Sequence, residues 1–162
     1  QQADSSRHRS VYLPLMRGLT PRALEPFDPV DQTLVSGNRE TTTVPSQALF
    51  MLNSSFVRRQ SLLLAEQLLT QREQTLDQRV REMYQRVLSR VPQVTEIERI
   101  AAFVKDYEAA YDAAQESNSS AATRPTGNKP GEDAIRPESS HAAAWLAVVQ
   151  SLYASAEFRY LK

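Results

Sequence analysis

The stretch GNRETTTVPSQALFMLN, residues 37–53, marks the change from a polar, irregular segment to an apolar helix. Pro45 suits the first turn of a helix, because the backbone N–H that proline lacks has no intrahelical acceptor there. Apolar residues follow it at once, so residues 45–53 are predicted to form about two helical turns. Pro45 therefore separates a predicted irregular segment from a predicted helical body.

Upstream of this point, residues 10–44 are predicted to form an extended, proline-rich arm. Pro14 interrupts its β-rich start, and proline cannot donate a hydrogen bond to a sheet, so an edge strand or an extended segment is expected there. Further prolines within residues 19–38 break any longer element. The arm also carries many apolar side chains, which predicts that it lies on the helical body. Residues 1–9 are predicted to be a disordered tail.

Downstream of Pro45, apolar residues recur at helical spacing. The clearest series, at i, i+3, i+7 and i+11, comprises Val80, Met83, Val87 and Val91. Thr95 and Glu98 have the spacing of a capping box for the fourth helix. The predicted helices are residues 45–53, 54–71, 76–90, 96–115 and 140–157. The sequence thus predicts a mainly α fold, an irregular bundle of four or five helices with an N-terminal extended, proline-rich arm.

Residues 115–140 are dense in serine, proline, glycine, asparagine and charge, and they are nearly free of large apolar groups. Such a segment cannot offset the entropy of ordering, so it is predicted to be a flexible loop, with a lid or a partner tether as the alternative. The predicted organisation is a single helical domain over residues 10–162, with helices in residues 45–114 and a C-terminal helix in residues 141–162.

Composition disfavours several classes of function. Lys+Arg and Asp+Glu are both 19, so the formal charge is zero, and a dedicated nucleic-acid binder is not expected. The absence of cysteine excludes a disulfide framework, a thiolate nucleophile and a thiolate zinc site in this chain. No apolar run approaches the ~20 residues that span a bilayer. Because the sequence does not start with methionine, it is interpreted as part of a longer protein, with any targeting signal upstream.

Catalytic and metal-binding motifs are also missing. The sequence contains no G-x-S-x-G elbow and no glycine-rich phosphate loop. Neither His8 nor His141 has a second histidine at i+3 or i+4, so no zinc pair is formed. We therefore predict no catalytic residue, no metal site and no cofactor in this chain.

Four polar residues around Pro45 remain as candidate binding residues: Arg39, Thr42, Gln47 and Asn53. They could line an anion or sugar site at the N-terminus of the first helix, where backbone N–H groups lack acceptors. The alternative is that they satisfy the backbone where the arm turns into the helix. The alternative is favoured, because polar groups beside irregular chain usually serve that chain.

The string R-x-x-T-x-x-P-x-Q-A-L-x-x-L-N, which begins at Arg39, resembles a planctomycete-specific C-terminal domain of unknown function. That domain is found in large exported planctomycete proteins that often carry a cytochrome-c-like domain. The turn LSRVPQVTEIE and the ending AWLAVVQSLYASAEFRYL are also similar to the family, although Ser89 replaces its usual glycine. The resemblance implies export to the periplasm or cell surface, a helical C-terminal region and a haem-linked domain upstream. It implies no catalytic residues.

Two functional hypotheses follow. The first is a non-catalytic structural or interaction module at the C-terminus of a larger exported multidomain protein, with the upstream domains of that protein as its partners. The second is part of an exported redox or polysaccharide-processing enzyme. In that case Arg39, Gln47 and Asn53 would line a site shared with the upstream domains.

Overall fold

The computed structural model describes residues 25–27, 45–71, 73–120 and 136–160. The chain divides into two units, Gln1–Phe50 and Met51–Lys162. In the first unit, the ring of Phe27, at the end of a short 3-10 helix, meets the ring of Phe50 edge to face at 5.6 Å. The predicted tail and most of the predicted arm lie outside the described residues.

The helices are α1 Pro45–Asn53, α2 Ser55–Thr70, α3 Leu76–Leu88, α4 Val94–Ser120, α5 Ser140–Ala154 and α6 Ala156–Arg159. Helices account for 84% of the described residues, and no strand occurs among them, so the prediction of a mainly α fold is confirmed.

Hydroxyl side chains fix the start of α2, α3 and α5. The Ser54 side chain accepts a hydrogen bond from a backbone N–H of the first turn of α2, and Ser139 does the same for α5. Before α3, the Thr75 hydroxyl accepts from the Gln78 backbone N–H, while the Gln78 side chain accepts from the Thr75 backbone N–H. These contacts satisfy N–H groups that have no acceptor inside the helix. They also separate α2 and α3 into distinct helices.

The fourth helix differs from the prediction at both ends. It begins at Val94 rather than residue 96, so the predicted pairing of Thr95 with Glu98 is wrong: Glu96 is the residue that reaches back, accepting from the Gln93 backbone N–H at 2.7 Å. At the other end α4 continues to Ser120, so the predicted flexible loop does not start at residue 115.

Side chains support the C-terminal part of α4, and in the added turns the Ser117 hydroxyl donates to the Ala113 carbonyl at 2.9 Å. The ring of Tyr107 stacks with that of Tyr111 at 6.4 Å, and the Gln115 amide donates to the Tyr111 hydroxyl at 3.2 Å. Such contacts at i, i+4 stabilise a helix that has no glycine or proline to end it. Residues 121–135, the greater part of the predicted loop, lie outside the described residues.

The core of the second unit is built around α5, in which residues 142–146 and 148–150 are all buried. On α2 the buried positions facing it are spaced as one helical stripe: Val57, Ser61, Ala65 and Leu68. The Ser61 hydroxyl donates to the Val57 carbonyl at 2.9 Å, so its burial leaves no unpaired group. Helix α4 adds Ile97 and Val104 to the same core.

Three members of the predicted apolar series on α3 are buried: Val80, Met83 and Val87. The fourth, Val91, is 61% exposed, so its predicted place in the core is wrong. The reason is that α3 ends at Leu88, and Val91 lies in the following turn rather than on the helix face.

That turn contains the one non-glycine residue of the described ranges with a positive φ, Ser89, at φ 56°. This left-handed conformation costs an L-residue about 1–2 kcal/mol relative to the right-handed one, and glycine avoids the cost. The positive φ explains why glycine is expected at this position from the resemblance. Serine adopts the same conformation at a steric cost.

Replacing Ser89 with glycine should raise the free energy of unfolding by about 0.5–1 kcal/mol, as glycine adopts a positive φ without steric cost. Urea denaturation at neutral pH measures this change. Ser89→Ala is the control, because alanine keeps the Cβ atom and should leave stability within about 0.5 kcal/mol of the original. Equal stability of the glycine and alanine variants would show that the turn is not strained.

Candidate functional site

The structure describes two of the four predicted binding residues. Gln47 is buried on α1, whereas Asn53, at the end of the same helix, is exposed. The two amides therefore do not share one open face of α1. Arg39 and Thr42 lie outside the described residues. The anion or sugar site, and the enzyme hypothesis that depends on it, stay predictions.

The side-chain amide of a buried residue, Gln150, binds the last turn of α1. Gln150, near the end of α5, donates from Nε2 to the carbonyl oxygen of Leu52 at 2.7 Å and to that of Met51 at 3.3 Å. Carbonyls in the last turn of a helix have no intrahelical donor, so they need partners from elsewhere. Gln150 meets this need from 98 residues away. Its signal in the sequence is a glutamine directly after the apolar run of residues 142–149.

Gln150→Met keeps the length and volume of the side chain but removes the donor. The variant should lose about 1 kcal/mol of unfolding free energy, because two helix-end carbonyls lose their partner in a partly buried position. Thermal and urea unfolding measure the loss. Gln85→Met is a matched control, since that side chain is exposed on α3. If both variants were equally stable, the contact with α1 would have no energetic role.

Arg90 holds two carboxylates at once. Its Nη1 and Nη2 lie 2.9 and 2.7 Å from the two oxygens of Glu96, at the start of α4. Its Nε and Nη2 lie 2.5 and 2.9 Å from the two oxygens of Glu157, in α6. The planar guanidinium suits two such paired contacts in a way that lysine cannot. The same group lies 5.0 Å from the ring centre of Tyr84, on α3. One side chain therefore joins α3, α4 and α6.

These contacts change the acidity of the cluster. Hydrogen bonds from Arg90, and then one from the Gln93 backbone, lower the pKa of Glu96 to about 2. Hydrogen bonding to Arg90 also lowers the pKa of Glu157. Hydrogen bonds to both carboxylates raise the pKa of Arg90. Burial raises the pKa of the Tyr84 hydroxyl. The ions thus stabilise each other's charged forms, and neither carboxylate is suited to act as a general acid near neutral pH.

The folded-state pKa of Glu96 lies below its ordinary value of 4.5. Its contribution to stability is therefore complete above pH 4.5 and is lost as the pH falls toward 2. Glu96→Gln should lower the unfolding free energy by about 1 kcal/mol at pH 7, a modest value because the ion pair is partly exposed.

Urea unfolding at several pH values between 7 and 2 checks this expectation. The gap between Glu96→Gln and the original protein should close as the pH approaches 2. Glu98→Gln, at an exposed position on the same helix, is the control and should leave the pH profile unchanged. A gap of constant size at every pH would contradict the proposed role of the ion pair.

The turn held by Arg90 has an unusual distribution of side chains. Its charged groups face one another, and Pro92 is buried, whereas Val91 and Val94 are 61% and 67% exposed. A single exposed apolar side chain is ordinary on a folded protein, whereas two on one short turn make a small apolar surface. We call residues 89–96 the Arg90 turn. It is a rigid segment that presents two large apolar groups to solvent.

A second arginine has an internal role. Arg79, on α3, donates to the carbonyl of Leu68 at 3.1 Å and to those of Gln71 and Gln74, both at 3.4 Å. Its guanidinium lies 5.6 Å from the ring centre of the fully buried Trp145. It therefore closes the C-terminal end of α2 and covers the central indole. The role of Arg79 could not be predicted from the sequence, since its acceptors are backbone atoms that leave no residue pattern.

The described ranges contain no group of three or more histidine and acidic residues placed to hold a metal ion. No helix among them is long and apolar enough to cross a membrane. A shallow cleft at the α2–α3 connection is lined by hydroxyl, amide and carboxylate groups, namely Thr70, Gln71, Glu73, Gln74 and Gln78.

The part of the chain that the structure describes is all α, with an ion-paired turn between α3 and α4. The chain belongs to the family described as PSD1, Protein of unknown function (DUF1553), whose model matches residues 1–104. The matched part includes Arg90 and Glu96, whereas their partner Glu157 lies beyond it. Neither the curated proteins nor the solved structures contain a significant match to this chain.

Proposed function

We propose that this chain is a non-catalytic interaction module that docks onto upstream domains of a larger exported protein. The observation that carries the proposal is the arrangement of the Arg90 turn, in which the ionic groups are engaged with one another and Val91 and Val94 face solvent. A turn whose charged groups are paired with one another and whose apolar side chains face solvent is suited to binding another protein rather than to catalysis.

Rigidity supports this proposal. The turn is held by paired contacts from Arg90 to two helices, so docking requires little further ordering of its backbone. Fully burying a valine contributes about 1.5–3 kcal/mol. Two such residues are too few for a stable complex between separate proteins, but they suit a contact between domains of one chain, where the linker keeps the partner close.

The identity of the partner comes from the resemblance. We infer a periplasmic or cell-surface protein, planctomycete in origin, with a cytochrome-c-like domain among the upstream domains. The haem would belong to that domain, and this module would hold it in place without binding the cofactor itself.

Binding between this chain and the separately expressed upstream region tests the proposal. Val91→Ser with Val94→Ser should weaken binding at least about tenfold, because a loss of 1.4 kcal/mol already gives that factor. Gln93→Ser with Thr95→Ser is the matched control, since it alters exposed polar side chains of the same turn. Circular dichroism should show all variants folded. Binding unaffected by the valine changes, or no binding by the original chain, would overturn the proposal.

A further inference from the structure

The short helix α6 depends on its neighbours for its position. It has four residues, Ala156–Arg159, and none of them is buried. A helix of this length is not stable by itself in water. Its Phe158 ring meets the Tyr153 ring of α5 edge to face at 4.9 Å, and its Glu157 carboxylate pairs with Arg90. The Glu157 side chain is 47% exposed, and ion pairs that solvent reaches are weak. We therefore expect α6 to detach without unfolding of the core.

Arg90 carries the contact with α6 into the turn. Its Nε lies 2.5 Å from one oxygen of Glu157, and its Nη1 donates to the carbonyl of Val91 at 3.2 Å. One planar guanidinium thus joins the carboxylate of α6 to the backbone of an exposed valine. The same guanidinium pairs with Glu96, which belongs to the turn itself. Glu157 is therefore the carboxylate through which a separate helix acts on the turn.

The backbone next to Arg90 is strained. Ser89 has a φ of 56°, a conformation that a residue with a Cβ atom adopts at a steric cost. Strained conformations persist where the surrounding contacts hold them. Loss of the Glu157 contact removes one of the two carboxylates that hold Arg90, so Ser89 is freer to relax. Val91 and Val94 follow in the same turn, and their arrangement changes with it.

We propose that α6 controls the docking of the Arg90 turn, with Glu157 as a positioning residue for Val91 and Val94. The inference rests on the proposed docking function and adds a second state to it. With α6 attached, two carboxylates hold Arg90 and the valines keep the arrangement that binds. With α6 detached, Arg90 keeps Glu96 alone, the turn loosens, and binding has to order it again. By linkage, the bound partner stabilises the attached state of α6 by the same factor.

Motion of the two valines in the full chain without partner is the first test. Methyl relaxation and relaxation dispersion by NMR cover motion from picoseconds to milliseconds. Glu157→Gln should increase the motion of the Val91 and Val94 methyl groups, because Arg90 loses one of its two carboxylates. Glu98→Gln is the matched control, since it removes the same charge from an exposed position on α4, and it should leave both valines unchanged. Valines that move no more in Glu157→Gln than in the original chain would overturn the inference.

Binding of the upstream region to the full chain, measured by calorimetry, is the second test. Glu157→Gln should weaken binding at least about fivefold, the lower end of the usual coupling between two sites. Phe158→Ala should also weaken it, because it loosens α6 while leaving the carboxylate intact. Phe158→Leu keeps an apolar side chain at this position and should bind as the original chain does. Thermal unfolding checks that each variant is folded.

The outcomes separate this inference from the docking function on which it rests. Equal binding by the original chain and Glu157→Gln would overturn control by α6 and leave the docking function standing, and so would equal binding by Phe158→Ala. If Glu98→Gln weakened binding as much as Glu157→Gln, the effect would follow the charge rather than Arg90, and the inference would be wrong. No binding by the original chain would overturn the docking function and its control together.

Discussion

The second unit depends on the burial of α5. From Ala142 to Gln150 only one residue of this helix is not buried, so the helix is stable only when other helices surround it. Trp145 occupies its centre and is fully buried. The inward faces of α2, α3 and α4 supply the surrounding apolar surface. The other helices of this unit are therefore arranged so that their apolar faces cover α5.

Polar side chains secure this arrangement at the helix ends. Gln150 holds the end of α1, Arg79 closes α2, and Arg90 joins α3, α4 and α6. Each of these groups satisfies backbone or carboxylate atoms that the apolar core cannot satisfy. The polar groups of the Arg90 turn are engaged in this way, whereas its two valines, Val91 and Val94, face solvent.

The sequence predicted the helices better than it predicted the site. Periodicity identified the buried positions of α3, since Val80, Met83 and Val87 share one face of a helix whatever surrounds it. It failed at Val91, because periodicity does not show where a helix ends. The role of Arg90 could not be foreseen, since one of its partners is 67 residues away and the contact depends on how α6 packs. The role of Gln150 could not be foreseen for the same reason, because its acceptors on α1 are 98 and 99 residues away.

Native-state hydrogen exchange is the most direct test of the central claim that α5 is the element on which the unit depends. The backbone amides of Trp145, Val148 and Val149 should exchange only through global unfolding, with opening free energies equal to the unfolding free energy from urea. Amides at the exposed end of α4, such as Asp112, should exchange far faster. If the α5 amides exchanged as readily as those of α4, the bundle would not be organised around α5 and the account would be wrong.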